Sequence, residues 1–190
     1  MIDTLDKTIL EWFQSIQNDA ATHFLSVLTK LGEAGILWII AGILMLVFLK
    51  EKKYGVIVLL SLLFCLIFGN GLLKNLVARP RPCHRPHDYF MLITIPKDYS
   101  FPSGHTFSSV AAAIGIWHWN RKWGIAAVVT AILMMFSRLY FYVHYPTDIL
   151  GGILLGTVLA LLSIQIVEKT LASARWKNWR NKRKIGRAHV

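Results

Sequence analysis

The sequence is short of acid. Of its 190 residues, 10 are Asp or Glu against 21 Lys or Arg, which leaves a formal net charge of +11. No carboxylate cluster of the kind that holds Mg²⁺ is evident, so no metal is expected. Cysteine is scarce too. Cys65 falls within an apolar run and Cys83 in a polar connection, so neither a disulfide framework nor a zinc site is indicated. A basic leader is missing as well: Asp3 and Asp6 stand near the start, and no cleavable signal peptide is expected.

Apolar residues, by contrast, are abundant. They make up 55% of the chain, and the mean hydropathy is +0.49. A soluble domain of this length has no need of so many, and uncharged runs of 15 to 19 residues indicate an integral membrane protein. In a soluble protein the positive charge would suggest a nucleic-acid partner. Here it gathers in short connections and the tail, as on a cytoplasmic membrane face, so no nucleic acid is expected.

Residues 4–31 follow a helical pattern with Leu5, Ile9, Trp12, Phe13 and Ile16 on one face. They read as an amphipathic helix at the membrane interface. His23 reads as a residue of its polar face, and the run from Gly32 to Gly35 breaks the pattern. Firm spans follow at about 35–49, 55–73, 102–117, 123–143 and 149–167. The organisation expected is therefore an interfacial region over 1–34, a transmembrane bundle over 35–170 and a basic tail over 171–190. Residues 186–190 carry no weight in this reading. Lys50, Lys52, Lys53, Arg121, Lys122 and the tail fall on one side, which the positive-inside rule makes cytoplasmic. The connection 75–100 and the turn 143–148 then share the outer side. Lys74, Arg79 and Arg81 are positive charges on that outer side, against the rule, and such exceptions are usually functional. Gly152 and Gly156, with Ala111, Ala112, Ala113 and Gly115, supply small faces for close helix approach.

The chemistry gathers at the outer ends of these spans. His144 precedes Asp148 by four residues across Pro146, which fits the first position of a helix. A carboxylate on one ring nitrogen makes the other more nucleophilic. Arg138 adds a cation nearby, although alone the group also reads as an ordinary polar helix end. Lys74-x6-Arg81-Pro82 alone reads more simply as a snorkelling lysine before a proline-stiffened loop. Pro102-Ser103-Gly104-His105 opens a span. Its free N–H groups make a ready anion site, and His105 there can deliver a proton. Cations, helix N–H groups and two histidines on one membrane face suit a phosphoryl group.

Together these stretches resemble the type-2 phosphatidic acid phosphatase superfamily, whose pattern is Lys-x6-Arg-Pro, Pro-Ser-Gly-His and Ser-Arg-x5-His-x3-Asp. This sequence carries Lys74-x6-Arg81-Pro82, then Pro102 to His105, then Ser137-Arg138-x5-His144-x3-Asp148. The resemblance implies an all-α polytopic transmembrane helix bundle of six helices, one more than the five firm spans. It implies that His144 is the nucleophile forming a phosphohistidine, that Asp148 orients it, and that His105 is general acid and then base. Lys74, Arg81, Ser103, Gly104 and Arg138 would bind the phosphate, with no cofactor. The implied partners are a lipid phosphate (phosphatidylglycerophosphate or undecaprenyl pyrophosphate) and membrane lipids. The implied place is a bacterial cytoplasmic membrane, with the site facing outward and the C-terminus cytoplasmic. A phosphate or phospholipid transporter, or a binding protein without hydrolysis, is the alternative. His84, His87 and Cys83 match no position of the pattern, and His118 falls at the cytoplasmic interface.

Overall fold

The computed structural model describes residues 2–85, 89 and 91–187, with side chains from 4 to 174. Among these residues there is no strand. His87 lies outside them.

The region expected as one N-terminal helix is two. α1 (Ile2–Ser15) ends before Asn18, and α2 (Asp19–Leu31) begins after it. Asn18 breaks the run because it caps α2: its side-chain oxygen accepts from the Ala21 N–H at 2.9 Å. Asp19 in the first turn and Lys30 in the last complement the helix dipole. α1 presents Asp6, Leu10 and Phe13 inward. The two apolar residues join Leu25 of α2 and the run from Tyr140 to Val143 in one buried cluster. Tyr140 ties the junction down, with its hydroxyl taking the Asn18 N–H at 2.9 Å and its carbonyl taking Gln17 Nε2 at 2.8 Å. His23 is exposed, as expected of a polar-face residue.

The break at Gly32–Gly35 is a kink. Ala34 and Gly35 both have positive φ, 51° and 72°, and the chain bends by 48° into α3 (Ile36–Phe48). α4 (Lys53–Phe64) continues through a π-helical segment, Cys65–Leu73, into α5 (Lys74–Val77). A long connection leads to α6 (Gly104–Trp119), which turns tightly into α7 (Arg121–Tyr140) through Asn120. The Asn120 side chain takes the Lys122 and Trp123 N–H groups at 3.0 and 3.2 Å. α8 starts at Pro146 and runs to Arg187.

Three helical stretches are long and apolar enough to cross a membrane: Lys53–Val77, Arg121–Tyr140 and Pro146–Ala174. The bent pair of α2 with Glu33–Phe48 makes a fourth if taken as one span. The stretches expected at 35–49 and 102–117 correspond to α3 and α6. These have 13 and 16 residues, which at 1.5 Å per residue reach only about 20 and 24 Å. Against hydrocarbon of roughly 30 Å that is short. Lipid-facing surface is nonetheless plain, since Ile40, Leu44, Leu66, Ile132, Leu150 and Leu154 are exposed on these helices.

The small faces do what their composition implied. A Cβ on Gly156 would sit 2.5 Å from the Phe107 carbonyl oxygen, and one on Gly152 2.8 Å from Thr106 Cβ. α8 therefore lies directly on the backbone of α6. Gly115 likewise faces Val58 of α4. Because the helices alternate in direction, the end of α5, the start of α6, the end of α7 and the start of α8 share one end of the bundle.

Candidate active site

At that shared end lies a cavity of about 550 Å³. Lys74, Arg81, Gly104, His105, Arg138 and His144 line it, together with the apolar Ile39, Leu59, Leu62, Leu63 and Leu66. Ser103 and Asp148 stand behind it. Ser103 is fully buried, its hydroxyl accepting from Thr106 Oγ1 at 3.0 Å and its N–H donating to the Asp148 carbonyl at 3.2 Å. Pro102, expected at the first helical position, lies outside α6. Ser103 is extended and caps the helix, its carbonyl taking the Phe107 N–H at 3.0 Å. Gly104 is therefore the first helical residue, and a Cβ there would meet Lys74 Nζ at 3.6 Å.

His144 is 1% exposed. Its Nε2 lies 2.9 Å from an Arg81 guanidinium nitrogen, and its Nδ1 lies 3.4 Å from Asp148 Oδ2. A guanidinium can only donate, so Nε2 carries the lone pair and Nδ1 the proton. Burial, then the charges of Arg81, Arg138 and Lys74, push its pKa well below the usual histidine value, so the ring is neutral at pH 7. A neutral imidazole with an unprotonated Nε2, held here by Arg81, and Nδ1–H against a carboxylate is the arrangement of an activated nitrogen nucleophile.

Asp148 is held from several sides. Its Oδ2 accepts from the Tyr145 N–H at 2.9 Å and from the Ser100 hydroxyl, and its Oδ1 accepts from Arg79 at 2.6 Å. Ser100 and Arg79 were not among the expected site residues. For Arg79 a signal existed, a cation on the side where the charge rule disfavours one.

Three cations face the cavity from its closed end. Arg81 donates to the Val143 carbonyl at 2.7 Å and to the Asp98 carbonyl at 2.9 Å. Arg138, 4% exposed, donates to Thr29 Oγ1 at 2.6 Å, while its Nε has no hydrogen-bond partner. An unpaired donor on a buried cation is expensive unless something binds there. The carboxylate of Asp98 sits between Lys74 and Arg81, bonded to both, at 2.7 Å from Arg81. Burial alone would raise the Asp98 pKa, but the two cations outweigh it and hold the carboxyl well below the usual carboxylate range. His105 Nε2 lies 3.2 Å from the Thr29 carbonyl. A carbonyl only accepts, so this nitrogen carries a proton and the other is left to exchange one. Asp98 and Thr29 had no motif to announce them. Among the described residues no group of three or more His, Cys, Asp or Glu is arranged to hold a metal ion.

Of the residues that matched no pattern, His84 is exposed and lies 2.9 Å from the carbonyl of Pro96, a residue that lines the cavity. Cys83 is buried beside Tyr142 and Val143. At the far end of the bundle, His118 and Lys53 both reach Glu168, at 3.3 and 2.9 Å.

The undecaprenyl-diphosphatase of Sulfolobus acidocaldarius is 33% identical over 130 residues, 68% of this chain and 63% of that protein. The undecaprenyl-diphosphatase BcrC of Bacillus subtilis is 36% identical over 93 residues, 49% of this chain and 48% of that one. The chain thus spans about half to two thirds of the length of these curated relatives. A crystal structure of a transmembrane PAP2-type phosphatidylglycerolphosphate phosphatase from Bacillus subtilis superposes with a TM-score of 0.72 at 27% identity. It covers 88% of this chain and 87% of that one. Residues 54–172 match the model of the PAP2 superfamily, and the chain belongs to that family.

Proposed function

We propose that the protein is a membrane lipid phosphatase that hydrolyses a phosphomonoester or pyrophosphate head group through a phosphohistidine. The observation that carries this reading is the charge balance of the cavity. Among the described residues Lys30, Lys74, Arg81 and Arg138 line it against two carboxylates, Glu33 and Asp98. Two positive charges are left over, which a phosphate dianion matches, and Arg138 Nε is a donor still to be filled.

In this mechanism the phosphoryl group sits among the three cations and the first N–H groups of α6. His144 Nε2 attacks phosphorus in line. A P–N bond forms as the bond to the leaving oxygen breaks, and His105 gives that oxygen its proton. Water then enters, His105 takes its proton back, and the P–N bond breaks to release inorganic phosphate. Asp148 holds the Nδ1–H throughout and stabilises the charge that develops on the ring. Ser103 and Gly104 shape the helix start that presents the N–H donors.

The leucine lining of the cavity supports an acyl or prenyl chain entering sideways beside α3 and α4. The relatives' activities support undecaprenyl pyrophosphate or phosphatidylglycerophosphate as candidates. The placement of Lys53, Arg121 and Lys122 at the opposite end of the bundle supports an outward-facing site in a bacterial cytoplasmic membrane, with residues 171–190 inside.

The test is phosphate release by detergent-purified protein in EDTA. Phosphatidylglycerophosphate, undecaprenyl pyrophosphate and phosphatidic acid are run side by side, with His144→Ala as control. Release that persists in EDTA and vanishes in the mutant is expected, and the ranking of lipids identifies the head group. Binding of the lipids without release would favour a transporter or carrier instead.

A further inference from the structure

Asp6, Leu10 and Phe13 form the inward stripe of α1. A carboxylate on the apolar stripe of an amphipathic helix costs several kcal/mol unless it is paired. Asp6 is 2% exposed, and its pairing is specific. Its Oδ2 accepts from Arg79 at 2.9 Å and from Thr147 Oγ1 at 2.7 Å, and its Oδ1 accepts from the Thr147 N–H at 3.2 Å. The other arm of the same guanidinium donates to Asp148 Oδ1 at 2.6 Å and to Thr147 Oγ1 at 2.6 Å. The Arg79 guanidinium also lies over the Tyr145 ring, 4.0 Å from its centre.

One guanidinium therefore joins two carboxylates, one from the N-terminal helix and one from the start of α8. We propose that Asp6 and Arg79 are positioning residues for the hydrolysis, acting on His144 through Asp148. The proposal rests on the phosphatase reading given above.

A carboxylate can rotate, and only one of its oxygens can face the imidazole. Arg79 occupies Oδ1, so Oδ2 is left for His144 Nδ1 with the Ser100 hydroxyl and Tyr145 N–H fixing its plane. An Arg79 without Asp6 would neutralise Asp148, and the ring would face an ion pair of no net charge. With Asp6 present the trio keeps one negative charge, which stabilises the cationic ring that forms as the P–N bond is made. This stabilisation is needed in the transition state and not for holding substrate, so it belongs to kcat.

The experiment compares kcat and KM for phosphate release by the full chain and by Asp6→Asn, Arg79→Gln and the double variant. In parallel, the His144 ring nitrogens are followed by ¹⁵N NMR in detergent, with the signal assigned by its loss in His144→Ala. Asp6→Asn is expected to lower kcat about 10-fold or more, with KM within about twofold. The double variant is expected to be no worse than Arg79→Gln alone. The ring signals should move from the pure Nδ1–H pattern toward the average of the two tautomers. Unchanged kcat with unchanged ring signals would overturn the proposal, and so would strictly additive losses, since Asp6 would then act elsewhere. Should Asp6→Asn fail to fold, Arg79→Lys takes its place. It keeps the charge but cannot span both carboxylates, so full activity with unshifted ring signals in that variant would equally overturn the proposal. If the unmodified protein releases no phosphate from any lipid while Asp6→Asn still moves the ring signals, the phosphatase reading fails and the positioning link stands.

Discussion

Asp98 occupies the place a substrate phosphate needs, so removing its charge should tighten anion binding. Both carboxylate oxygens are committed: one to Lys74, the other to Arg81 at 2.7 Å. A phosphoryl group bound by the same donors must displace them. The carboxylate is 52% exposed, so each pair is screened and worth about 0.2–1 kcal/mol. Displacing both therefore costs about 0.4–2 kcal/mol, or about 2- to 30-fold in affinity. Asp98→Asn preserves shape and leaves the Asp98 carbonyl bonded to Arg81 Nε at 2.9 Å, so the cation stays in place. The assay is the Ki of inorganic phosphate and of orthovanadate, with KM for the best lipid, in detergent at constant ionic strength. Ki should fall about 2- to 30-fold, by the pair estimate above. An unchanged or raised Ki would show that Asp98 orders the cations instead of competing for them, and would refute the displacement argument. Acid cannot mimic the substitution. The two cations depress the Asp98 pKa in the folded protein, so its pairing is fully present above the unfolded value of about 3.9 and is lost only as pH falls through the lower folded one. Lowering the assay pH from about 7 to about 5 should therefore leave the phosphate competition in place.

Asp148→Asn should keep the fold and cut kcat by orders of magnitude, as the ring loses its orienting carboxylate; the comparable loss in a serine-protease triad is about 10⁴-fold. Orthovanadate should inhibit competitively as a five-coordinate phosphate mimic, and indifference to it would count against in-line attack by His144. Thr29→Val removes the acceptor that holds Arg138. KM should rise about 10-fold with a smaller effect on kcat, and a steady-state titration with the lipid reads both. Gly156→Ala forces a methyl against the Phe107 carbonyl. The melting temperature in detergent should drop by an amount consistent with about 1–3 kcal/mol of overpacking, and an unchanged melting curve would argue against direct α6–α8 backbone contact.

The parts of the site that could be read in the sequence are those whose spacing is local. His144 and Asp148 are separated by one turn started by Pro146, and Ser103 with Gly104 opens α6. The pattern there is a consequence of helix geometry, and the structure keeps it. The small residues of α6 and α8 were legible for a similar reason, since glycine and alanine in an apolar run have few other uses. Span lengths were less legible. Apolar runs do not mark where a backbone turns, so α7 stops at Tyr140 and α8 starts at Pro146 while hydrophobic sequence runs across the gap. The N-terminal region read as one helix because its periodicity survives Asn18, which breaks it by capping rather than by polarity.

What the sequence concealed is the second layer of charge, and its concealment has a physical cause. Asp6 meets Thr147, 141 positions away, and Arg79 at 73; Thr29 meets Arg138 at 109. No periodicity or spacing rule reaches that far. Nothing in the sequence set Asp6 apart, because a buried carboxylate with a distant partner looks the same there as an exposed one. The clue lay on the partner's side, since the charge rule read Arg79 as a cation on the side where few are expected. At this end of the bundle Asp6, Asp98 and Asp148 are each bonded to a cation. In the mechanism proposed above, Asp98 would compete for the phosphate cradle, Asp148 would face the nucleophile, and Asp6 would set the charge that Asp148 can offer. The scarcity of acid with which the sequence began is thus the condition for a cavity that stays positive enough to take a phosphate.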